Sequence, residues 1–317
     1  MAGATVTVET PARLHFGLLD VRASAVRRFG GIGAPAPAIT TRVSVSLADS
    51  LEASGDDAGR AVEFARRFLA HYKLPRGATI VVERAIPPHS GLGSGTQLAL
   101  SIALALAELH GVAATIPELA RSVGRARRSA VGTWTFAGGG FVVEGGQRPS
   151  APGASPLLAR VIFPTSWRCV VAIPDVEPGI SGEAERAAFA TLPEPAERDV
   201  ERIAYLVLLG MLPALAEGNL AAFGAALSEV QVINGQWFAH AQGGTFAPGP
   251  SSELVSRMRE WGVAGVGQSS WGPAVYGIVD GDDAAELLAR RVRASLGDTG
   301  AVRVGAFPDV GARVSRR

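Results

Sequence analysis

Apolar and polar residues alternate over Thr5 to Glu9 and Arg42 to Leu47, the period of strands with one buried face, and Thr79 to Glu83 reads as a third strand. The first of these runs into Pro11. From Ala58 to Tyr72 the apolar residues Val62, Phe64, Ala65, Phe68 and Leu69 fall at helical spacing. Leucine and alanine cover every face from Thr96 to His110, which predicts a helix buried all round and closed by Gly111. A further helix is expected over Pro117 to Arg127, started by Thr115. The stretch Gly145 to Pro156 is rich in glycine, proline and serine and is the natural boundary between a unit over 1–156 and one over 157–317. Beyond it the run Trp167 to Ile173 reads as a buried strand, followed by helices over Glu183 to Ala190, Val200 to Glu217, Leu220 to Val232, Ser251 to Trp261 and Ala284 to Leu296. Strands are expected at Ala274 to Val279 and Val302 to Phe307. This irregular alternation implies an α+β protein of two lobes and not a doubly wound sheet.

Composition narrows the function. Across 317 residues the formal charge is +1, with 30 basic and 29 acidic side chains, so the positive excess that general nucleic-acid or membrane-surface binding needs is missing. The one cysteine, Cys169, excludes an internal disulfide and a multi-cysteine metal site, and its apolar neighbours make it a small buried hydrophobe. No basic stretch followed by an apolar core opens the chain, and the apolar run Leu98 to Leu109 is too short to span a bilayer, so a cytoplasmic location is expected. Lys73 is the one lysine, so chemistry that requires a lysine has a single candidate.

The chemistry concentrates in Ile86 to Gln97, IPPHSGLGSGTQ, which joins a strand to the buried helix. Glycines let the backbone approach a ligand, and a helix N-terminus favours an anion, so phosphate is the natural occupant. The Lys-Ser/Thr pair of a Walker A loop is missing, and Gly91-x-Gly93-x-Gly95 does not have dinucleotide-fingerprint spacing. A second glycine-rich stretch, Gly265 to Pro273, separates a helix from a strand; alone it would be an ordinary turn, and its interest is the pairing with the first. A helix terminus contributes at most ~2 kcal/mol to anion binding, whereas micromolar affinity needs about 8 kcal/mol. Two arginine clusters could supply the difference or be solvated basic faces: Arg27 and Arg28 before Phe29-Gly30-Gly31, and Arg125, Arg127 and Arg128 before Ser129.

Pro88 to Gln97 resembles the central phosphate-binding motif of the GHMP kinase superfamily, and Gly265 to Gly272 resembles its third motif. The wording of Arg13-Leu14-His15-Phe16-Gly17-Leu18-Leu19-Asp20, of Arg28 to Gly33, of Gly93 to Gln97, and of Arg128 to Thr133 with Gly139 to Gly146 is similar to that of the β-ribofuranosylaminobenzene 5′-phosphate synthase family. That resemblance runs along nearly the whole chain. It implies a ribosomal-S5-like N-terminal lobe and a ferredoxin-like C-terminal lobe. The implied reaction joins 4-aminobenzoate or 4-hydroxybenzoate to phosphoribosyl pyrophosphate with loss of CO2 and pyrophosphate, early in tetrahydromethanopterin biosynthesis. Magnesium is implied as the cofactor, and the reading leaves room for a homodimer.

Such a reaction needs fixed donors for a leaving diphosphate more than a strong base. Gly91, Leu92, Gly93, Ser94, Gly95, Thr96 and Gln97 are expected to hold phosphate. The kinases place a second, magnesium-binding serine where this chain has Gly95, which makes Thr96 the substitute. Arg28 is expected to hold the 5′-phosphate or the carboxylate; Asp20 is open to magnesium, a ribose hydroxyl or a turn-capping role, and His15 to catalysis or a strand-end hydrogen bond. Arg13, Gly30, Gly31, Arg128, Gly267, Ser269 and Ser270 are expected to line the substrate, with Trp237 and Phe238 as an aromatic wall, at least one of them a core residue instead. The competing readings are an ATP-dependent small-molecule kinase and a non-catalytic binding protein. Against the former, Ser129 to Phe136 holds no carboxylate where many such kinases place an aspartate base.

Overall fold

Both strands that open the chain are far longer than their alternating cores. In the computed structural model, which describes residues 4–75, 77–150, 155–177, 179 and 182–317, β1 (Thr5–Asp20) and β2 (Phe29–Leu47) form a long antiparallel ribbon. Pro11 does not end β1: the register shifts between Pro11 and Arg13, an irregularity that absorbs the missing N–H and lets pairing resume. Then come β3 (Leu51–Gly55), α1 (Ala58–Tyr72), β4 (Ala78–Arg84), α2 (Ser94–His110), α3 (Ile116–Ser122), α4 (Val131–Gly138), β5 (Phe141–Glu144) and β6 (Leu157–Val161). The rest of the chain is β7 (Trp167–Pro174), α5 (Gly182–Thr191), α6 (Glu197–Tyr205), a π-helical turn Leu206–Met211, α7 (Leu212–Glu217), α8 (Leu220–Gln242), α9 (Pro250–Glu260), β8 (Gly265–Gln268), β9 (Val275–Asp280), α10 (Asp282–Leu296), β10 (Gly300–Ala306) and β11 (Arg313–Arg316).

Two sheets result. The first follows the order β11-β1-β2-β4-β3, with β5 pairing β2 and β6 pairing β5; the second is β10-β7-β9-β8. The glycine-rich stretch ending at residue 156 therefore joins two strands of the first sheet, β5 and β6, and β11 returns from the far end of the chain to pair β1. The second sheet begins with β7, whose alternate residues serve two cores. Cys169 and Val171 face a central core shared by both sheets, while Val170 and Ala172 face one under α9 and α10. Burial on both faces is what turns that strand into a continuous apolar run. A third core packs α1, α2 and α3 against the first sheet.

Helix ends follow local chemistry. Thr115 forms a capping box with Glu118, as the sequence suggests, but α3 stops at Ser122 because Gly124 (φ 73°) turns the chain left-handed. The single helix expected over Val200 to Glu217 is broken into α6, the π-turn and α7. Pro213 has no N–H for the carbonyl of Leu209 and its ring crowds that carbonyl, which the wider turn accommodates. The helix expected to stop at Val232 runs on to Gln242, with Gly235 in its interior where a Cβ would lie 2.2 Å from the Thr245 carbonyl oxygen. Cys169 is fully buried, and burial pushes its thiol pKa up. No described helix is long and apolar enough to cross a membrane.

Candidate active site

The two glycine-rich stretches meet backbone to backbone. A Cβ on Gly91 would lie 2.1 Å from the Ser269 carbonyl oxygen, and one on Gly272 would lie 2.0 Å from the Gly91 nitrogen. Only glycine permits that approach, and Gly91 and Gly93 also take left-handed φ of 82° and 77° to bring the chain into α2. Two side chains staple the loop: the Arg13 guanidinium and the Ser269 hydroxyl both donate to the Gly91 carbonyl. The Arg13 N–H donates to the Leu92 carbonyl, and Gln97 bridges Thr10 and the Gly132 carbonyl. The loop is thus held from β1, from α4 and from the second lobe.

Around this junction opens a cleft of about 1290 Å³. Its charge is lopsided: seven arginines line it against the carboxylates Glu63 and Glu185. Arg60, Arg67, Arg121 and Arg125 form one wing. An ideal Cβ on Gly95 would stand 2.7 Å from Arg125 Nη2 and 3.2 Å from Arg60 Nη1, so the missing side chain in the first turn of α2 is the space these guanidiniums occupy. Arg125 stacks 4.8 Å over the Phe64 ring, and its buried Nε has no hydrogen-bond partner among the described residues. Burial, with Arg60 and Arg67 nearby, lowers its pKa to about 10, so it stays charged at neutral pH. Arg127 reaches the same Gly124 Cβ position as Arg67, while Arg13 and Arg128 form the other wing; burial lowers Arg13 to about 10, and Arg128 pairs with Glu185.

Beside Arg128 the cleft becomes aromatic. Phe238 meets Trp271 at 4.8 Å and Phe189 at 5.6 Å, Phe189 meets Trp271 at 5.8 Å, and Arg128 lies 4.9 Å over Phe189. His15 lies in the same cleft, 7% exposed. Its backbone N–H donates to Ser269 Oγ, and its ring Nε2 is 3.1 Å from Ser129 Oγ. Burial and Arg13 lower its pKa to about 3, leaving a neutral imidazole.

Family models for GHMP kinases match residues 59–139 (N-terminal domain) and 211–298 (C-terminal domain). A β-ribofuranosylphenol 5′-phosphate synthase of Methanothermobacter thermautotrophicus is 36% identical over 301 residues, 86% of this chain and 88% of the relative. The chain belongs to the β-ribofuranosylphenol 5′-phosphate synthase family. It is an enzyme of the GHMP kinase fold. The namesake from Archaeoglobus fulgidus is 34% identical over 86% of the chain and 87% of its own length. Among solved structures, homoserine kinase of Cytophaga hutchinsonii superposes with a TM-score of 0.74 at 17% identity, covering 98% of this chain and 97% of its own. Mevalonate pyrophosphate decarboxylase of Streptococcus pyogenes does so at 0.70 and 15%, with 98% of each covered. These two show the fold alone.

For this synthase-family chain the structure sorts the expected site residues. Arg13, His15, Gly91, Gly93, Ser94, Gly95, Thr96, Arg128 and Ser270 line the cleft. Leu92 and Gln97 lie beneath it as core and brace, and Ser269 is a staple. Gly267 sits in β8, where a Cβ would collide with Gln231 and Tyr276; the residues 265–268 are strand and not loop. Of the two aromatic candidates on α8, Trp237 is buried in the central core and Phe238 takes the wall position. Arg28 and Asp20 stand outside the cleft. Arg28 pairs by its backbone with Gln147 and donates to the Val21 carbonyl, while Asp20 is bonded through both oxygens to Arg22 and accepts its backbone N–H. Gly30 and Gly31 lie beneath the cleft, where they make room for Leu19 and for Glu144 and Ser129 respectively.

Sequence reading missed Arg60, Arg67, Phe189 and Ser129, whose approach no local spacing announces. It missed Asn234 as well, whose side-chain amide accepts from the Leu18 N–H and donates to the Leu18 carbonyl, docking α8 on β1. The residues expected to hold magnesium do not fit it: Asp20 is committed to Arg22 and leaves Thr96 a lone hydroxyl. Among the described residues no cluster of three or more His, Cys, Asp or Glu could supply a metal site.

Proposed function

We propose that this enzyme transfers a phosphoribosyl group from phosphoribosyl pyrophosphate to 4-aminobenzoate or 4-hydroxybenzoate, releasing CO2 and pyrophosphate and forming a C-riboside, an early step of tetrahydromethanopterin biosynthesis. The observation that carries the reading is one cleft that joins an arginine-rich anion site to an aromatic wall. A substrate with phosphates at both ends of a ribose suits the two arginine wings, one on each side of the α2 N-terminus. The N–H groups at the start of α2, with Ser94, Thr96, Arg60 and Arg125, take the diphosphate and stabilise its charge as it leaves. Phe189, Phe238 and Trp271 take the ring of the acceptor, and Arg128 its carboxylate. Magnesium enters as part of the substrate, bound to the diphosphate oxygens.

The test incubates the protein with phosphoribosyl pyrophosphate, magnesium and carboxyl-labelled 4-hydroxybenzoate or 4-aminobenzoate, and counts released CO2 and pyrophosphate, with ATP in a parallel reaction. Equal release of both products is expected. Stabilisation by ATP alone, with no CO2, would move the chain to the kinase reading.

A further inference from the structure

Beneath His15 lies a carboxyl group with no place in the chemistry described so far. Glu144, at the end of β5, is 0% exposed and forms no ion pair among the described residues. Its Oε1 accepts from the Ala130 N–H at 3.1 Å and its Oε2 from the Gly146 N–H at 3.0 Å. Burial raises its pKa above the ordinary carboxylate value, and the Gly146 and Ala130 N–H groups and the nearby Ser155 and Ser129 hydroxyls pull against that rise. The approach is built in: an ideal Cβ on Gly31 would sit 3.1 Å from both Glu144 Oε1 and Ser129 Oγ, so glycine at that position lets the carboxyl and hydroxyl share the space. Gly146 takes φ 69° to present its N–H.

Ser129 Oγ accepts from the Val131 N–H at 3.2 Å and has one proton of its own. That proton has two possible acceptors, the Glu144 carboxylate and the His15 ring. Both Glu144 oxygens already accept backbone N–H groups, the arrangement of a carboxylate, and a hydrogen bond to an ionised acceptor is roughly twice as strong as one to a neutral acceptor, so the carboxylate takes it. Ser129 Oγ then accepts from His15 Nε2–H, and the remaining ring nitrogen, Nδ1, keeps its lone pair; it bonds to no described residue.

We propose that Glu144 and Ser129 position His15 as a proton acceptor through Nδ1 for the hydroxyl or amino group para to the carboxylate of the aromatic acceptor. The inference rests on the functional reading above. As the C1′–O bond to diphosphate breaks, the ring carbon bearing the carboxylate forms the new C–C bond to C1′. With 4-hydroxybenzoate, the phenol O–H pair becomes the C=O of a dienone while its proton moves to Nδ1. The C–CO2 bond then breaks, its electron pair restores the aromatic ring, and the resulting phenolate takes the proton back. A base this weak suffices because the ring cation makes that O–H a strong acid. The same weakness keeps the imidazole neutral beside Arg13 in the resting site.

His15→Gln and Ser129→Ala decide the matter with two acceptors: 4-hydroxybenzoate, and 3-fluoro-4-hydroxybenzoate at a pH where its phenol is already ionised. With the neutral phenol, His15→Gln should lower kcat about 10²- to 10⁴-fold, the usual contribution of a general base. Ser129→Ala should lower it less, with KM little changed in both. With the ionised phenol, each variant should come back to within a few-fold of the wild type, a rescue that a merely structural role cannot give. Equal loss with both acceptors, in a variant that inorganic pyrophosphate still stabilises against heat, overturns the proposal. Wild-type protein that releases CO2 from neither acceptor refutes the functional reading itself, and the relay with it.

Discussion

Arg125→Met asks whether the guanidinium over Gly95 is kept for a ligand or for the fold. The methionine retains an apolar stem over Phe64, so packing is largely preserved. The charge is another matter. It is desolvated, its Nε has no partner among the described residues, and Arg60 and Arg67 crowd it. Two like charges about 4 Å apart repel by roughly 4 kcal/mol at an effective dielectric of 20, an upper figure for groups that share solvent. Its removal should therefore leave the ligand-free protein as stable as the wild type, or more so. Anion binding should suffer instead. A hydrogen bond to a charged group contributes about 1.5–3 kcal/mol, so inorganic pyrophosphate should bind about 10- to 150-fold more weakly. The assay is thermal unfolding with and without pyrophosphate. At 100 times the wild-type Kd, the ligand stabilises the wild type by about 2.7 kcal/mol, and a variant weakened about 100-fold would gain only about 0.4 kcal/mol. A variant that melts several degrees lower without ligand, yet keeps the full pyrophosphate shift, would show that Arg125 serves the fold.

Three further outcomes are expected. Between pH 6.5 and about 3 the unfolded chain holds a proton on His15 that the folded chain does not. Stability should fall with pH in that window by up to about 1.4 kcal/mol per unit, and urea titrations of His15→Gln should show a shallower slope there than the wild type; parallel slopes would contradict a buried neutral imidazole. Gly272→Ala pushes a methyl to within 2.0 Å of the Gly91 backbone, so it should cost about 1–3 kcal/mol in urea unfolding and depress activity with it. Gly59→Ala in α1, with nothing within 4 Å of its Cβ, should instead gain about 0.5–1 kcal/mol.

Much of the molecule is legible without coordinates because its signals are local. The all-round apolar pattern of Leu98 to Leu109 can only be buried, and Gly111 ends that helix as expected, at φ 66°. The glycine loop before α2 declares itself because glycines must stand at Gly91 and Gly93 for the backbone to turn left-handed there. Even the pairing of the two glycine stretches is legible, though not its reason, which is that one packs directly on the other. What failed was argument from neighbours in sequence. Arg28 beside a glycine turn looked like an anion clamp, yet the long β1–β2 ribbon carries its turn away from the cleft, and its side chain closes on Val21. Trp237 and Phe238 are equivalent in sequence, and helical geometry sends one into the core and the other to the wall.

The sequence by itself determined the type of several elements, the glycine-built loop before α2 and the family wording, which rest on backbone sterics and short-range periodicity. The tertiary structure alone decided which charges meet. Arg60 on α1 and Arg125 beyond α3 converge on Gly95, and Phe189 on α5 reaches Trp271 across the chain. His15 on β1 finds Ser129 and, beneath it, Glu144 on β5. Contacts of this kind carry no periodic signature, because they depend on how two sheets and three cores pack and not on any residue's neighbours along the chain.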